Sequence, residues 1–303
     1  MLIGVIGDAT LDVTVGPPGP MSAGDARARI AVGPGGQGAN VAVRLARAGA
    51  EVRLIAPLAD DPAGRMLREH LESEGLELVP LPSSRTSMVV VLLATDGGRS
   101  MLSDRVPVPP GITSALAGCD WVHVSGYVLR DKREARSVVE AVRAAGSQRV
   151  SIAGGSFEGS ADAGVARDAI EATHAKLLVV NRDEAALLVP TPTDSIAGMA
   201  EVLASHDRLA VVTDGERGCA AGAGWIDDVI CCRAPVPRGL TVDTTGAGDA
   251  FTASLIASLA PGWPPGAGAI AAALEVAAGE GAAATTAIGA QSVVPADGSG
   301  SDA

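Results

Sequence analysis

The chain has 303 residues, 47% of them apolar and only 2% aromatic, with 35 Asp and Glu against 23 Lys and Arg. A net charge of −12 without any cluster of Lys and Arg argues against duplex nucleic acid as a partner, because neutralising a phosphate backbone needs such a cluster. The length suits one large α/β domain with an appendage, and the composition requires a core of closely packed Ala, Val and Leu.

The first apolar strand is Leu2 to Ile6. Asp8 and Asp12 follow it, where the ligand loops of open parallel sheets emerge, and both are candidates to bind a hydroxylated substrate; the alternative for each is a turn or cap. From Leu11 to Val32 the chain alternates in short pieces around Gly16-Pro17-Pro18-Gly19-Pro20. Gly35-Gly36-Gln37-Gly38-Ala39-Asn40 then leads into a helical pattern from Val41 to Ala50. Glycines there leave room for a polyol, and the Asn40 amide offers it both donors and an acceptor.

The same stretch contains Gly33-x-Gly35-x-x-Gly38 with Asp60 further on, which passes formally as a dinucleotide-binding fingerprint. A Rossmann unit places that acid at the end of its second strand. Here the strand Val52 to Ala56 is followed by Pro57 and a loop, so Asp60-Asp61-Pro62 reads as a loop and helix cap.

From Ser87 to Asp104 two β-rich runs flank Asp96-Gly97-Gly98, a hairpin signal. This interval and the one from 11 to 32 bracket a βαβ unit, so they are expected to pair as a small separate sheet, a lid. Further apolar strands are Trp121 to Val124, Val150 to Ala153, Leu177 to Val180 and Leu209 to Thr213. Helical patterns between most of them predict a mainly parallel sheet with helices on both faces.

After Val180 comes Asn181-Arg182-Asp183-Glu184, a capping-box spacing that also carries a carboxylate suited to magnesium. Thr213 runs into the tight turn Asp214-Gly215-Glu216-Arg217-Gly218. The most informative run is Asp243-Thr244-Thr245-Gly246-Ala247-Gly248-Asp249-Ala250-Phe251, set just before helix-forming residues. The N–H groups of Gly246, Ala247 and Gly248 are expected to point outward at the first helical turn and bind an anion. Asp249 beside bound negative charge makes sense as a proton acceptor, which suggests phosphoryl transfer to a hydroxyl. The alternative is that Asp243, Thr244 and Thr245 merely cap the helix.

Residues 269 to 288 are the longest apolar stretch, and Glu275 and Glu280 mark them as a core helix and turn, so no membrane partner is expected. Cys119, Cys219, Cys231 and Cys232 lack metal-ligand spacing and read as buried, reduced thiols. With no secretory leader before the first strand, the expected location is cytoplasmic. The tail from 296 to 303 reads as disordered.

The run from Asp243 to Phe251 resembles, without a mismatch, the C-terminal signature of the ribokinase (PfkB-type) family of sugar and nucleoside kinases, and Gly35 to Asn40 resembles the N-terminal one. The resemblance spans residues 1 to 295, with five elements in the family's order. It implies a three-layer α/β/α fold with a β-sheet lid, and ATP with magnesium as cofactors. It also implies phosphorylation of a hydroxymethyl group on a small sugar, and a homodimer formed through the lid. By the same resemblance Asp249 is the base, Gly246 to Gly248 the anion hole, and Asp12, Gly36 and Asn40, with Asp8, the sugar ligands. Asn181, Glu184, Thr213, Gly215 and Gly218 would meet the nucleotide, with Glu184 near magnesium through water. Asp243 and Thr245, with Gly289-Ala290-Gln291, would form a potassium site.

Two features depart from the family's pattern. Gln37 stands where ribokinases commonly carry lysine, and Ala153-Gly154-Gly155-Ser156 replaces an acidic or amide residue followed by proline. A nucleoside kinase would need a stacking ring, for which Tyr127 or Phe157 is available. A phosphosugar kinase would need a basic anchor; Arg105, Arg130 and Lys132 qualify, with an exposed, solvated charge the expectation for each. A sugar-binding regulator without turnover is the remaining alternative.

Overall fold

Consecutive residues of the central strands are buried on opposite sides: Leu177 and Val179 face one core, Leu178 and Val180 the other. Strands with two apolar faces need a layer of helices on each side, so the sheet is sandwiched. The computed structural model describes residues 1–16, 27–94, 99–146 and 149–292. In chain order these comprise β1 (Leu2–Ile6), β2 (Thr10–Val15), β3 (Ile30–Gly35), α1 (Gln37–Arg47), β4 (Glu51–Leu58), α2 (Pro62–Ser73) and β5 (Glu77–Pro82). Next come β6 (Ser87–Leu93), β7 (Arg99–Asp104), β8 (Trp121–Val124), α3 (Lys132–Ala145), β9 (Arg149–Ala153), α4 (Ser160–Ala172), β10 (Leu177–Asn181) and α5 (Arg182–Leu188). The remainder is α6 (Ile196–Leu203), β11 (Leu209–Thr213), β12 (Cys219–Ala223), β13 (Ile230–Cys232), α7 (Ala247–Leu259) and α8 (Ala267–Ala284).

Nine strands form the central sheet in the order β13-β12-β11-β10-β9-β8-β1-β4-β5. Every pairing from β11 to β5 is parallel, and β12 and β13 add antiparallel at one edge. Helices α1, α2, α7 and α8 pack on one face and α3 to α6 on the other. The expected three-layer α/β/α architecture is therefore present. The lid is a separate four-stranded sheet in the order β3-β2-β6-β7. Its β6 and β7 pair antiparallel, as a hairpin requires, while Asp96-Gly97-Gly98 lies outside the described residues. So does the tail from 296 to 303.

Three strands, β5, β12 and β13, are not evident in the sequence. Pro80 and Pro82 sit in β5, where an edge position tolerates them. The sequence of β12, Cys-Ala-Ala-Gly-Ala, has weak strand preference and is held extended by pairing along β11. The reading of four buried cysteines needs correction for the same reason. Cys119 and Cys219 are buried, but Cys231 is exposed and Cys232 half-buried because β13 is the outermost strand.

Helix α8 has the length and hydropathy of a membrane span, yet Ile270, Ala273, Leu274, Ala277 and Ala278 belong to the core beneath α7. Asp61, not Asp60, caps α2: its side chain accepts from Gly64 N at 2.7 Å, with Pro62 at the first helical position. Asp60 is exposed in the loop before it, so the dinucleotide pattern has no acid at a strand end.

Candidate active site

The carboxyl ends of the parallel strands, the N-termini of α1 and α7 and the inner face of the lid enclose one cavity of about 710 Å³. Asp12, Gly36, Asn40 and the run from Thr245 to Asp249 line it. Asn181, Glu184, Thr213, Gly215 and Gly218 line it too, at the ends of β10 and β11. Asp8 and Asp243 do not.

Helix α7 begins as the sequence implies. Gly246 is its N-cap with φ +77°, a left-handed conformation that glycine adopts without strain, and no side chain caps it. A Cβ on Gly246 would also meet Ala290 Cβ at 2.5 Å. One expectation is amended: Ala247 N–H is not entirely outward, since it donates a long bond to Thr244 O at 3.4 Å. Asp249 falls in the first turn, and its Oδ2 accepts from Asn40 Nδ2 at 2.6 Å.

Asn40 lies on α1, whose N-cap Gly36 has φ +93° and passes so close to Asp8 that a Cβ would come within 2.7 Å of the Asp8 carbonyl oxygen. Asp12 points inward from β2 with Oδ1 accepting from Thr10 Oγ1 at 2.5 Å. Burial, and to a lesser degree the charge of Asp243, push its carboxyl up to about 6 despite the Thr10 bond.

Asp8 does not line the cavity and is engaged by protein groups. It is buried, accepts from Gly38 N at 3.2 Å and is ion-paired with Arg105. Arg105 in turn overturns the reading of an exposed, solvated charge: it is half-buried, lines the cavity and lies 3.8 Å from the centre of the Tyr127 ring. Its burial is tolerated because the Asp8 carboxylate and the ring face offset the desolvation. Arg130 is half-buried in ion pairs with Glu158 and Asp162, and Lys132 is exposed at the start of α3. Phe157 packs against the core rather than lining the cavity.

The two departures from the family's pattern meet in space. Gln37 Nε2 donates to Gly154 O at 2.8 Å, while its Oε1 accepts from Ser125 Oγ at 2.7 Å and Gly126 N at 2.9 Å. An amide therefore ties α1 to the loops after β8 and β9.

Glu184 completes a capping box with Asn181: Asn181 Oδ1 accepts from Glu184 N, and Glu184 Oε2 from Asn181 N, each at 2.9 Å. Ser156 N donates to its other oxygen at 2.7 Å. Burial raises its carboxyl above the ordinary range in spite of these bonds. A Cβ at Gly154 would overlap Glu184 Oε2, so the glycine keeps the carboxylate uncovered toward the cavity. Among the described residues no cluster of three or more His, Cys, Asp or Glu could hold a metal alone. Glu184 therefore fits magnesium that brings phosphate and water ligands with it.

Asp243 is a buried clamp, accepting from Thr245 N at 2.8 Å and Gly289 N at 2.9 Å. It joins the α7 turn to the C-terminal segment. Sequence reasoning gave no hint that Gln291 donates from Nε2 to Asn40 Oδ1 at 2.9 Å, and it missed His70, whose Nε2 is 2.7 Å from Gln291 Oε1. Gln291 carried a signal only as part of the Gly289-Ala290-Gln291 run, and His70 carried none.

An open parallel sheet with a cavity at its strand ends, an uncapped helix N-terminus and a carboxylate beside it defines a phosphoryl-transfer enzyme of the α/β class. The pfkB family carbohydrate kinase model matches residues 2–297, so the chain belongs to that family and is an ATP-dependent carbohydrate kinase. It is 32% identical to a fructokinase of Klebsiella pneumoniae over 97% of this chain and 96% of that one. Its fold is similar to that of the Xylella fastidiosa fructokinase with bound ATP, with a TM-score of 0.77, 22% identity and coverage of 96% and 94%. A ribokinase of Cryptococcus neoformans var. grubii serotype A in complex with ADP gives a TM-score of 0.74, 23% identity and coverage of 96% and 95%.

Proposed function

We propose that the protein transfers the γ-phosphoryl of ATP to a hydroxymethyl group of a free sugar, with fructose the preferred acceptor. The observation that carries this reading is the placing of Asp249 on the cavity wall, at the uncapped start of α7 and bonded to Asn40. Asp249 takes the hydroxyl proton as the oxygen attacks the γ-phosphorus; the new O–P bond forms, the bond to the bridging oxygen breaks and ADP leaves. Backbone N–H groups of Gly246 to Gly248 stabilise the transferring group, and Asp12, Gly36 and Asn40 hold the sugar. Glu184 would hold magnesium through water, and the ion would neutralise charge on the phosphates. Asn181, Thr213, Gly215 and Gly218 border the nucleotide.

Fructose is favoured by the identity to the Klebsiella pneumoniae fructokinase over nearly the whole chain. The phosphosugar reading is weakened because Arg105, the one Lys or Arg among the described cavity-lining residues, is already committed to Asp8. The nucleoside reading is weakened because Arg105 covers a face of Tyr127. An ADP-release assay over fructose, ribose, fructose phosphates and nucleosides, with and without potassium, is expected to give the highest kcat/KM with fructose. Turnover confined to nucleosides or phosphosugars would overturn the choice of acceptor, and sugar binding without ADP release would make the protein a regulator. Stimulation by potassium would support a cation at the Asp243 and Thr245 turn.

The chain is read as cytoplasmic and as a homodimer through the lid. Strand register puts Ile30, Val32, Met88, Leu92 and Leu102 on the outer lid face, all exposed, while Asp12 and Val89 face the cavity. Leu102→Asp is expected to shift the molecule from dimer to monomer in analytical ultracentrifugation.

A further inference from the structure

The Asn40 amide stands between a carboxylate and a second amide, and the directions of all the groups follow from one end of the chain. Asp249 as a carboxylate can only accept, so Asn40 must present its NH2 to it, at 2.6 Å. Asn40 Oδ1 is then turned to Gln291, which must present its own NH2, at 2.9 Å. Gln291 Oε1 is left facing His70 Nε2 at 2.7 Å, and that nitrogen must carry a proton. Both amides are buried, Asn40 at 4% and Gln291 at 5% exposure, so water cannot readily substitute for a missing partner.

We propose that Gln291 and His70 are positioning residues that fix which way round the Asn40 amide sits and thereby hold Asp249 ready to accept a proton. The inference rests on Asp249 being the base. A reversed Asn40 would set its carbonyl oxygen against the Asp249 carboxylate, and the repulsion would be relieved by a proton on Asp249, which removes the base. The scaffold under this chain is tied down independently. Arg47 NH1 donates to the Gln291 carbonyl at 2.7 Å and its remaining donors grip Glu74 at 2.6 and 2.8 Å, so α1, α2 and the C-terminal segment are held together. Arg44 donates to the Ala290 carbonyl at 2.8 Å. The other charged groups acting at the two ends are Arg44 on α1 and Arg105 after β7 toward Asp249, and Glu74, 3.9 Å from His70. None of these changes in the variants below.

The test compares Gln291→Glu, His70→Leu and His70→Gln in the full chain with saturating sugar and ATP. A glutamate at 291 still accepts from His70 but competes with Asp249 for the Asn40 NH2, and because its charge also acts on Asp249, the uncharged His70→Leu is the variant that isolates the orientation of the amide. Gln291→Glu is expected to lower kcat about tenfold or more and to displace the acid limb of the kcat profile upward by about one pH unit, with the KM for ATP changed less than about twofold. His70→Leu should show a smaller loss of the same kind, and His70→Gln, which restores a donor, should recover most of it. An unchanged acid limb in Gln291→Glu, or a loss in His70→Leu that appears only as a lower melting temperature and is not recovered by His70→Gln, overturns the proposal. Asp249→Asn run in parallel separates the two readings. If it keeps ordinary turnover, the base assignment itself fails. If it is inactive while Gln291→Glu matches the unaltered chain, only the positioning role fails.

Discussion

In the part of the cavity proposed for the acceptor, polar groups from distant segments hold one another: Asn40 with Asp249, Gln37 with Gly154, Arg105 with Asp8 and Tyr127. The rest of the wall mixes small groups, among them Gly215, Gly218, Ala234, Pro235, Ala278 and Ala282, with the polar side chains of Thr213, Glu216, Thr241 and Thr285. A polyol is distinguished from its isomers by where its hydroxyls sit, and only prearranged donors and acceptors can reject a misplaced one by leaving buried groups unpaired. A nucleotide can be held by shape, by backbone and by its phosphates at a helix start. On the proposed assignment, choice of sugar rests on side chains fixed by tertiary contacts, and use of ATP more on the course of the backbone.

The sharpest way to break this contrast is at the junction of the two parts. Asp249→Asn keeps the shape and a hydrogen-bonding side chain but removes the proposed base, so kcat in an ADP-release assay should fall roughly a hundred- to ten-thousand-fold with the melting temperature little altered. Gly154→Ala should be next in size. Its Cβ would collide with Glu184, and overpacking of this kind costs about 1–3 kcal/mol, so the KM for ATP is expected to rise more than that for sugar. Equal rises in both constants would mean that Glu184 serves the whole cavity rather than the phosphates.

The smallest effect concerns pH. Asp12 is shifted up to about 6, so acidification through that value converts the proposed acceptor of sugar hydroxyls into a neutral acid. The KM for sugar should rise as pH falls below about 6, with the KM for ATP unmoved. Its contribution to folding has the opposite sign: the raised value favours the folded state fully below the ordinary carboxyl range and that contribution is lost as pH climbs through about 6. A sugar KM flat from pH 5 to 7 would remove Asp12 from the binding set.

Much of the fold was legible because it is written locally. The apolar runs of β1, β10 and β11 are continuous since both faces are covered, those of β4, β8 and β9 are interrupted by Arg53, His123 and Ser151, and the glycine turn before α7 needs only its own residues to form. The lid followed from two β-rich intervals bracketing a helical unit, even though their strands pair across that unit. Strands β12 and β13 were not legible, because pairing with β11, not their own composition, makes them extended.

In the cavity the division is the same. Asp249, Asn40, Asp12 and Glu184 stand in short motifs whose chemistry and spacing are visible in the chain itself. The pairing of Asp8 with Arg105 engages an aspartate away from the cavity lining and half-buries an arginine expected in solvent, and no local pattern announces it. Gln291 meets Asn40 across 251 residues of chain, and His70 reaches the same amide from another helix. Sequence specifies groups that act through their neighbours along the chain; partners that act across the core exist only once packing has brought them within hydrogen-bonding distance.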